Sequence, residues 1–327
     1  MDDSVQVITP RKVPLGGPRA MTVRRTLPAR GRSFVGAWCF VDHYGPDDVA
    51  VSGGMDVAPH PHCALATVSW LFSGEVEHRD SIGTVAVVRP GEVNLMTAGR
   101  GISHSEVSTP ATSVLHGAQL WLVLPEAAAR VAPRFEHHVP EVVVPSPGVE
   151  VRVFVGSMFG STSPVRVESP LVGAEVILAQ GASLGLPLLG GFEAAVLVDR
   201  GSVTFGGRGI ARSGLGVIDA GAHGGTVDLV AGGEGARVLV LGGEPFHEQV
   251  VMWWNFIGRT HDDIVAARTA WEGGAGDGAF GTVDGYAGVP VRIPAPPLPG
   301  VRLKPRGNRA RPGRSHIFNG SEPPAVS

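Results

Sequence analysis

Residues 60–62 read His-Pro-His, and residues 96–106 read Met-Thr-Ala-Gly-Arg-Gly-Ile-Ser-His-Ser-Glu. Each stretch carries two metal-capable side chains at i and i+2: His60 with His62, and His104 with Glu106. On a strand, side chains two apart share a face, so each pair forms two prongs of one surface. Two such strands laid side by side would bring three imidazoles and one carboxylate around one ion. That donor set suits a first-row transition metal and leaves positions open in an octahedral geometry. A lone His-x-His arises by chance on many surfaces. Here a second pair, a glycine turn before it, an intervening hairpin, and more than forty residues of separation point to a metal site inside a β-barrel.

The chain around these prongs reads as short apolar or alternating runs broken by Gly, Pro and Asp. Thr67–Phe72, the turn Ser73-Gly74 and Glu75–His78 have the pattern of a hairpin. Runs at 84–88, 92–96, 102–107 and 120–124 follow, a spacing that predicts a sandwich or closed barrel. A second set covers 149–155, 174–178, 195–198, 202–205, 226–230 and 237–241, with Asp199-Arg200-Gly201 as an expected hairpin turn and no His-x-His. Gly206-Gly207-Arg208-Gly209 lacks phosphate-loop spacing and reads as turns. Thr260 and Asp263 fit a capping box, and Ile264, Ala267 and Trp271 lie on one helical face beyond it.

These signals divide the 327 residues into an N-terminal arm (1–20), a metal-binding barrel (21–130), a connector (131–148), a second barrel without metal (149–245), a helix packing back on the barrels (246–272) and a tail (273–327). The tail is mostly Gly, Ala, Pro and Arg, too poor in apolar side chains for a core, and disorder is the expectation for it. With 47 Gly and 27 Pro, turns outnumber what a helical protein would carry, and the fold class is all-β.

Net charge is −3, which favours no macromolecular partner, although Arg302, Lys304, Arg306, Arg309, Arg311 and Arg314 concentrate six cations in thirteen residues. Without interleaved aromatics that run is a solvated tail, and specific nucleic-acid binding is not expected. The two cysteines, Cys39 and Cys63, make no Cys-x-x-Cys, so neither a disulfide framework nor a thiolate zinc site is expected. Cys39 reads as a small buried hydrophobe, and Cys63, following His62, faces away from the metal. No signal peptide or membrane-length apolar run stands out, and a cytoplasmic location is the expectation.

Three further positions bear on the pocket. His78 and Asp80, again at i and i+2, form either a pair that orients a metal ligand from behind or an ordinary polar pair on a strand. Gln119 sits on a strand that lines the barrel mouth, or is a satisfied core amide. Trp70 and Trp121 are core by type, and His43, in a turn-like Asp-His-Tyr-Gly-Pro stretch, is a packing residue.

His60-Pro61-His62, His78-Arg79-Asp80-Ser81, the run from Met96 to Glu106, His116-Gly117-Ala118-Gln119-Leu120-Trp121, Val41-Asp42-His43-Tyr44-Gly45-Pro46 and Leu241-Gly242-Gly243-Glu244-Pro245 together resemble the pirin family, a branch of the cupin superfamily. The resemblance spans about residues 20–272. It implies two cupin-type β-barrels (double-stranded β-helix) and a non-haem iron held by His60, His62, His104 and Glu106. Fe(II) is the family's metal, while the donors alone also admit Mn, Ni, Cu or Zn. Family members include enzymes that cleave flavonols such as quercetin with O2, and regulators that act through protein partners. The resemblance thus implies either a quercetin 2,3-dioxygenase-type enzyme, in which Glu106 is ligand or base, or a redox-responsive metal-binding regulator. Two departures stand out. The glutamate of the general cupin pattern Gly-x5-His-x-His-x3,4-Glu is replaced by Ala66 or Thr67, which leaves the carboxylate to Glu106. Many pirins carry Arg-Gly-Phe-Glu after the second histidine, where this chain has Cys63-Ala64-Leu65-Ala66.

Overall fold

The computed structural model describes residues 4–15, 21–188, 191–222, 225–274 and 278–308. Two β-barrels lie side by side. The first is built from two sheets. One runs Arg134–His138, Val93–Thr97, Leu65–Ser73, Val114–Val123, Trp38–Asp48, Thr22–Leu27, Arg11–Pro14 in spatial order. The other runs Asp56–His62, Ile102–Ser108, Val76–Asp80, Val85–Val88. Period-two alternation is plain in Val76–Asp80, where Val76, His78 and Asp80 are buried and the residues between them are half-exposed.

The hairpin expected across Ser73-Gly74 does not form. Leu65–Ser73 pairs with Val93–Thr97 and Val114–Val123, whereas Val76–Asp80 pairs with Val85–Val88 and Ile102–Ser108 in the opposite sheet. Gly74, at φ 84°, carries the chain from one sheet to the other, and a Cβ there would sit 2.6 Å from the Val114 carbonyl oxygen. Local turn chemistry is the same for both outcomes; the partner strands decide. Asp199-Arg200-Gly201 likewise joins no hairpin. It is an irregular, bulged stretch inside the single strand Glu193–Phe205. The tight turn lies further on, at Gly206-Gly207, where Phe205 pairs with Arg208.

The second barrel centres on a nine-stranded sheet including Glu193–Phe205 and Thr226–Gly243. Its interior is filled by aliphatic side chains such as Val151, Val176, Leu184, Val196, Leu229 and Val238. The arm is shared between the barrels. Val5–Ile8 pairs with Leu215–Ile218 of the second barrel, and Arg11–Pro14 pairs with Thr22–Leu27 of the first. The connector also contributes strands, since Arg134–His138 extends the first barrel and Val142–Ser146 the second.

One apolar core runs through both barrels, with Trp38 and Trp70 packed on Phe154 at ring separations of 6.4 and 4.7 Å. Polar ties cross the same interface. Arg32 meets Glu193 at 3.0 Å, and Trp38 Nε1 donates to the Gly242 carbonyl at 3.1 Å. His43 lies on the strand Trp38–Asp48 rather than in a turn, and it reaches across to Asp199. Asp199 Oδ1 lies 2.8 Å from His43 Nε2 and 2.6 Å from His116 Nε2, and Oδ2 accepts from Arg237 Nε at 2.6 Å. Arg24 donates to His43 Nδ1 and Ser213 Oγ lies 3.1 Å from it, so the proton belongs on Nε2, facing Asp199. Burial holds His43 below the usual histidine pKa despite Asp199. Among the described residues His43, His116 and Asp199 are close enough to share a metal, but the Arg24 donor and the two short bonds to Asp199 close the set as a hydrogen-bonded latch between barrels.

The helix His261–Glu272 has the expected Thr260–Asp263 capping box and buries Ile264 and Trp271. The tail departs from expectation. Residues 278–308 lie along the first barrel, and 309–327 fall outside the described residues. Phe280 O accepts from Ser103 Oγ at 3.0 Å, Ile293 N donates to Pro59 O at 2.8 Å, and Tyr286 Oη donates to Asp56 at 2.8 Å. Val250 and Arg306 exchange backbone bonds, and the Asn308 side chain accepts from the amides of Ser33 and Phe34. The segment has little core of its own but docks through backbone bonds and a few isolated apolar anchors, which composition does not reveal.

Candidate metal centre

The strands Asp56–His62 and Ile102–Ser108 lie antiparallel with His60 directly opposite His104 and His62 opposite Ile102. The register brings the prongs together, and the ligand nitrogens of His60, His62 and His104 lie within 4.8 Å of one another, all buried. His62 Nε2 and His104 Nε2 are 3.1 Å apart. Metal–nitrogen bonds of ~2.0–2.1 Å place neighbouring donors on one ion about 3 Å apart, so the spacing fits.

The protonation pattern fits as well. His60 Nδ1 lies 2.9 Å from the Ala58 carbonyl, which takes its N–H and leaves the Nε2 lone pair free. Burial lowers the His60 pKa to about 4 and keeps His62 and His104 well below the usual histidine value. Neutral imidazoles are what a metal requires. Behind His104 runs a chain of partners. His104 Nδ1 is 3.3 Å from His78 Nδ1, and His78 Nε2 is 3.1 Å from Asp80 Oδ2. Asp80 accepts the His78 proton, His78 Nδ1 then accepts from His104, and His104 Nε2 is left with its lone pair toward the cavity. Although burial works against it, the His78 bond and the Thr84 amide hold the Asp80 pKa below the usual carboxylate range.

Glu106 shares the cavity but not the tight imidazole grouping. A bulge in Asp56–His62 sets Glu106 opposite Val57 rather than Ala58, while its pairing with His78 on the other side stays regular. Its Oε1 accepts from Ser69 Oγ at 3.3 Å, and Ser69 also donates to Gln119 Oε1 at 2.9 Å. Burial raises the Glu106 pKa, opposed by His78 and Ser69.

The cavity, of about 620 Å³, is lined by the three histidines, Glu106, Gln119 and Trp121. Trp121 therefore is not only core. Its ring centroid is 5.1 Å from that of His62, and Phe40 stacks on it at 4.1 Å. Trp70 remains in the core. Cys63 turns away toward Ile257, and both cysteines are free. Ala64, where many pirins have Gly, adopts φ 55°, a left-handed conformation that glycine takes without strain. Sequence reading missed Ser69, Trp254, Asn255 and four arginines of the lining. Ser69 had a local signal, since Thr67 and Ser69 are small polar residues two apart on an otherwise apolar strand. The others arrive from distant segments and had none.

The geometry defines a two-barrel protein with one histidine-rich pocket in its first barrel. The pirin family model matches residues 20–122, and the model of the pirin C-terminal cupin domain matches residues 173–277. A Pseudomonas aeruginosa protein named "Putative quercetin 2,3-dioxygenase" is 42% identical over 90% of this chain and 91% of its own. A pirin-like protein of Caulobacter vibrioides is 37% identical over 77% of this chain and 88% of its own. The crystal structure of a quercetin 2,3-dioxygenase from Acinetobacter baumannii superposes with a TM-score of 0.84 at 38% identity, covering 91% of this chain and 97% of that one. The chain belongs to the pirin family. A bacterial pirin from Escherichia coli in complex with nickel(II), at 20% identity and a TM-score of 0.58, shares the fold. No helix among the described residues is long and apolar enough to cross a membrane.

Proposed function

We propose that this pirin is a metal-dependent dioxygenase that cleaves flavonol-type substrates with O2. The observation that carries the reading is the grouping of three buried, neutral imidazoles at the base of a 620 Å³ cavity walled by aromatic side chains. That volume is in the range of pockets for drug-sized ligands. The quercetin dioxygenase names of the relatives from P. aeruginosa and A. baumannii support the same reading.

His60, His62 and His104 would hold the ion, with Glu106 as the fourth ligand, and Fe(II) is our choice of metal. When bound, such an ion supplies a Lewis-acidic seat for a deprotonated hydroxy-ketone and a site for O2 chemistry. The chain's own residues do the rest. Asp80 and His78 fix the orientation of His104. Ser69 holds Glu106 Oε1 and ties it to Gln119. Glu106, raised in pKa by burial, takes the flavonol hydroxyl proton at its carboxylate oxygen. Trp121, backed by Phe40, gives a flat substrate an aromatic wall, with Phe40 held between Trp121 and the Arg25 guanidinium. The protein acts where we place it, in the cytoplasm.

The test is anaerobic purification, metal analysis, and addition of quercetin and O2 while flavonol absorbance is followed. Iron near one per chain, decay of the absorbance and stoichiometric O2 uptake are expected, with at least a hundredfold loss of rate in Glu106→Ala. Metal-replete protein that turns over none of a broad flavonol panel would falsify the enzyme reading.

A further inference from the structure

The rim of the metal cavity is cationic in a way the chemistry at its base does not require. Arg11, Arg25, Arg30 and Arg306 all line it, and Glu106 is its only lining carboxylate among the described residues. They come from four places: the arm strand Arg11–Pro14, the strand Thr22–Leu27, the loop after it, and the C-terminal segment along the barrel. Arg11 lies directly opposite Arg25 in the antiparallel register. Like charges at directly opposed positions destabilise a strand pair. Among the described residues only Arg25 is bonded to a carboxylate, the fully buried Asp42, which it grips with two bonds of 2.7 Å. Arg11 Nη1 donates to the Pro28 carbonyl, and Asp42 reaches Arg11 only through space. Partial burial and then Arg25 depress the Arg11 pKa, Asp42 opposes them and Arg306 adds to them, so one carboxylate stands against several guanidinium groups.

The aromatic wall leads from this rim to the metal. The Arg25 guanidinium lies 4.1 Å from the Phe40 ring centre, Phe40 stacks on Trp121, and Trp121 abuts His62. A flat ligand seated along that wall would present one end to the histidines and the other to the arginines.

We infer that the preferred ligand is a planar aromatic with a metal-binding hydroxy-ketone at one end and a carboxylate at the other, gripped by Arg11, Arg30 and Arg306. Arginine forks match a carboxylate in shape as well as charge, and such bonds are stronger than neutral ones. The inference deepens the flavonol reading and rests on it. A neutral flavonol would leave Asp42 as the countercharge shared by Arg25 and Arg11, whereas a carboxylated one adds a second and relieves the repulsion between Arg11 and its neighbours.

The test compares 3-hydroxyflavone with its 4′-carboxylate on metal-loaded protein without O2, following quenching of tryptophan fluorescence. At low salt the carboxylate should bind about tenfold to a hundredfold tighter, as expected for one or two charge-assisted bonds. The ratio should shrink with added salt and fall to about one in the triple variant Arg11→Gln/Arg30→Gln/Arg306→Gln. Arg30→Gln alone, a change to an exposed loop residue, should lower it part of the way. Equal affinities in the wild type, or a preference that survives in the triple variant, overturns the inference. O2 uptake on the same samples separates the two ideas. Turnover of 3-hydroxyflavone with a ratio of one removes only the carboxylate preference. A high ratio with no turnover keeps it and removes the dioxygenase reading.

Discussion

Asp80 never touches the metal cavity's donors, yet it sets which nitrogen of His104 is available. Its Oδ1 is held by the amides of Ile82 and Thr84, so Oδ2 alone faces His78. In Asp80→Asn the amides should retain the oxygen and turn the NH2 group toward His78 Nε2. His78 would then carry its proton on Nδ1, against the Nδ1 proton of His104. Loss of such an orienting partner commonly lowers metal affinity ~10–100-fold. Chelator competition should show a drop of that size with little change in thermal stability; unchanged affinity would mean that the Asp80–His78–His104 chain has no bearing on the metal. At this scale the sequence was most readable where period two applies. His60, His62, His104, His78 and Asp80 follow from alternation along strands. Arg11, Arg306, Trp254 and the His43–Asp199 contact depend on pairings between remote segments, and no local pattern encodes those.

Among the elements, Asp56–His62 is an edge strand whose side chains from Val57 to His62 are nonetheless buried. It carries two of the histidines at the edge of a four-stranded sheet, paired on one side only, with Ile102–Ser108. Edge strands present unpaired backbone groups, and here residues 278–308 cover the edge, with Ile293 N on the Pro59 carbonyl and Tyr286 Oη on the Asp56 carboxylate. Ending the chain after Gly274 should therefore loosen this edge first. Hydrogen exchange should quicken at 56–62 by a local stability loss of more than ~1 kcal/mol, while the strands of the second barrel keep their protection. Equal protection at 56–62 in both lengths of chain would show the covering to be incidental. Strand-to-strand pairing was also where sequence reading was weakest. Ser73-Gly74 has the composition of a hairpin turn, but a double-stranded β-helix sends consecutive strands to opposite sheets, and Gly74 serves that crossing equally well.

For the molecule as a whole, acid is the predicted weakness. His43, His60, His62 and His104 are buried and held neutral, each with its pKa depressed by burial. The unfolded chain regains ordinary histidines of pKa ~6.5. Below that value the unfolded state binds more protons than the folded one, so stability falls as pH drops from ~6.5 toward about 4, where His60 titrates in the fold. Metal-free protein should lose several degrees of Tm between pH 7 and pH 5, and bound metal, although it raises Tm, should leave a loss at least as large because it keeps the folded histidines unprotonated. A flat Tm across that range would contradict the neutral assignment. The two-barrel plan itself was readable, because two sets of short apolar runs separated by turns leave few alternatives. The ends of the chain were not. Residues 1–20 and 273–308 have too few apolar side chains to look structured, but part of each takes backbone bonds from a barrel built elsewhere.

The strand Val5–Ile8 belongs to the barrel whose other strands lie between residues 142 and 243. On the ribosome that strand emerges before any strand of the first barrel and must stand idle until Leu215–Ile218 is made, long after the first barrel has all its own strands. Vectorial synthesis therefore cannot finish either end independently, and the second barrel closes by reaching back to the beginning. A bulky fusion at the N-terminus would burden the distant barrel rather than the adjacent one, and a gene cut between the barrels would leave the second missing an edge.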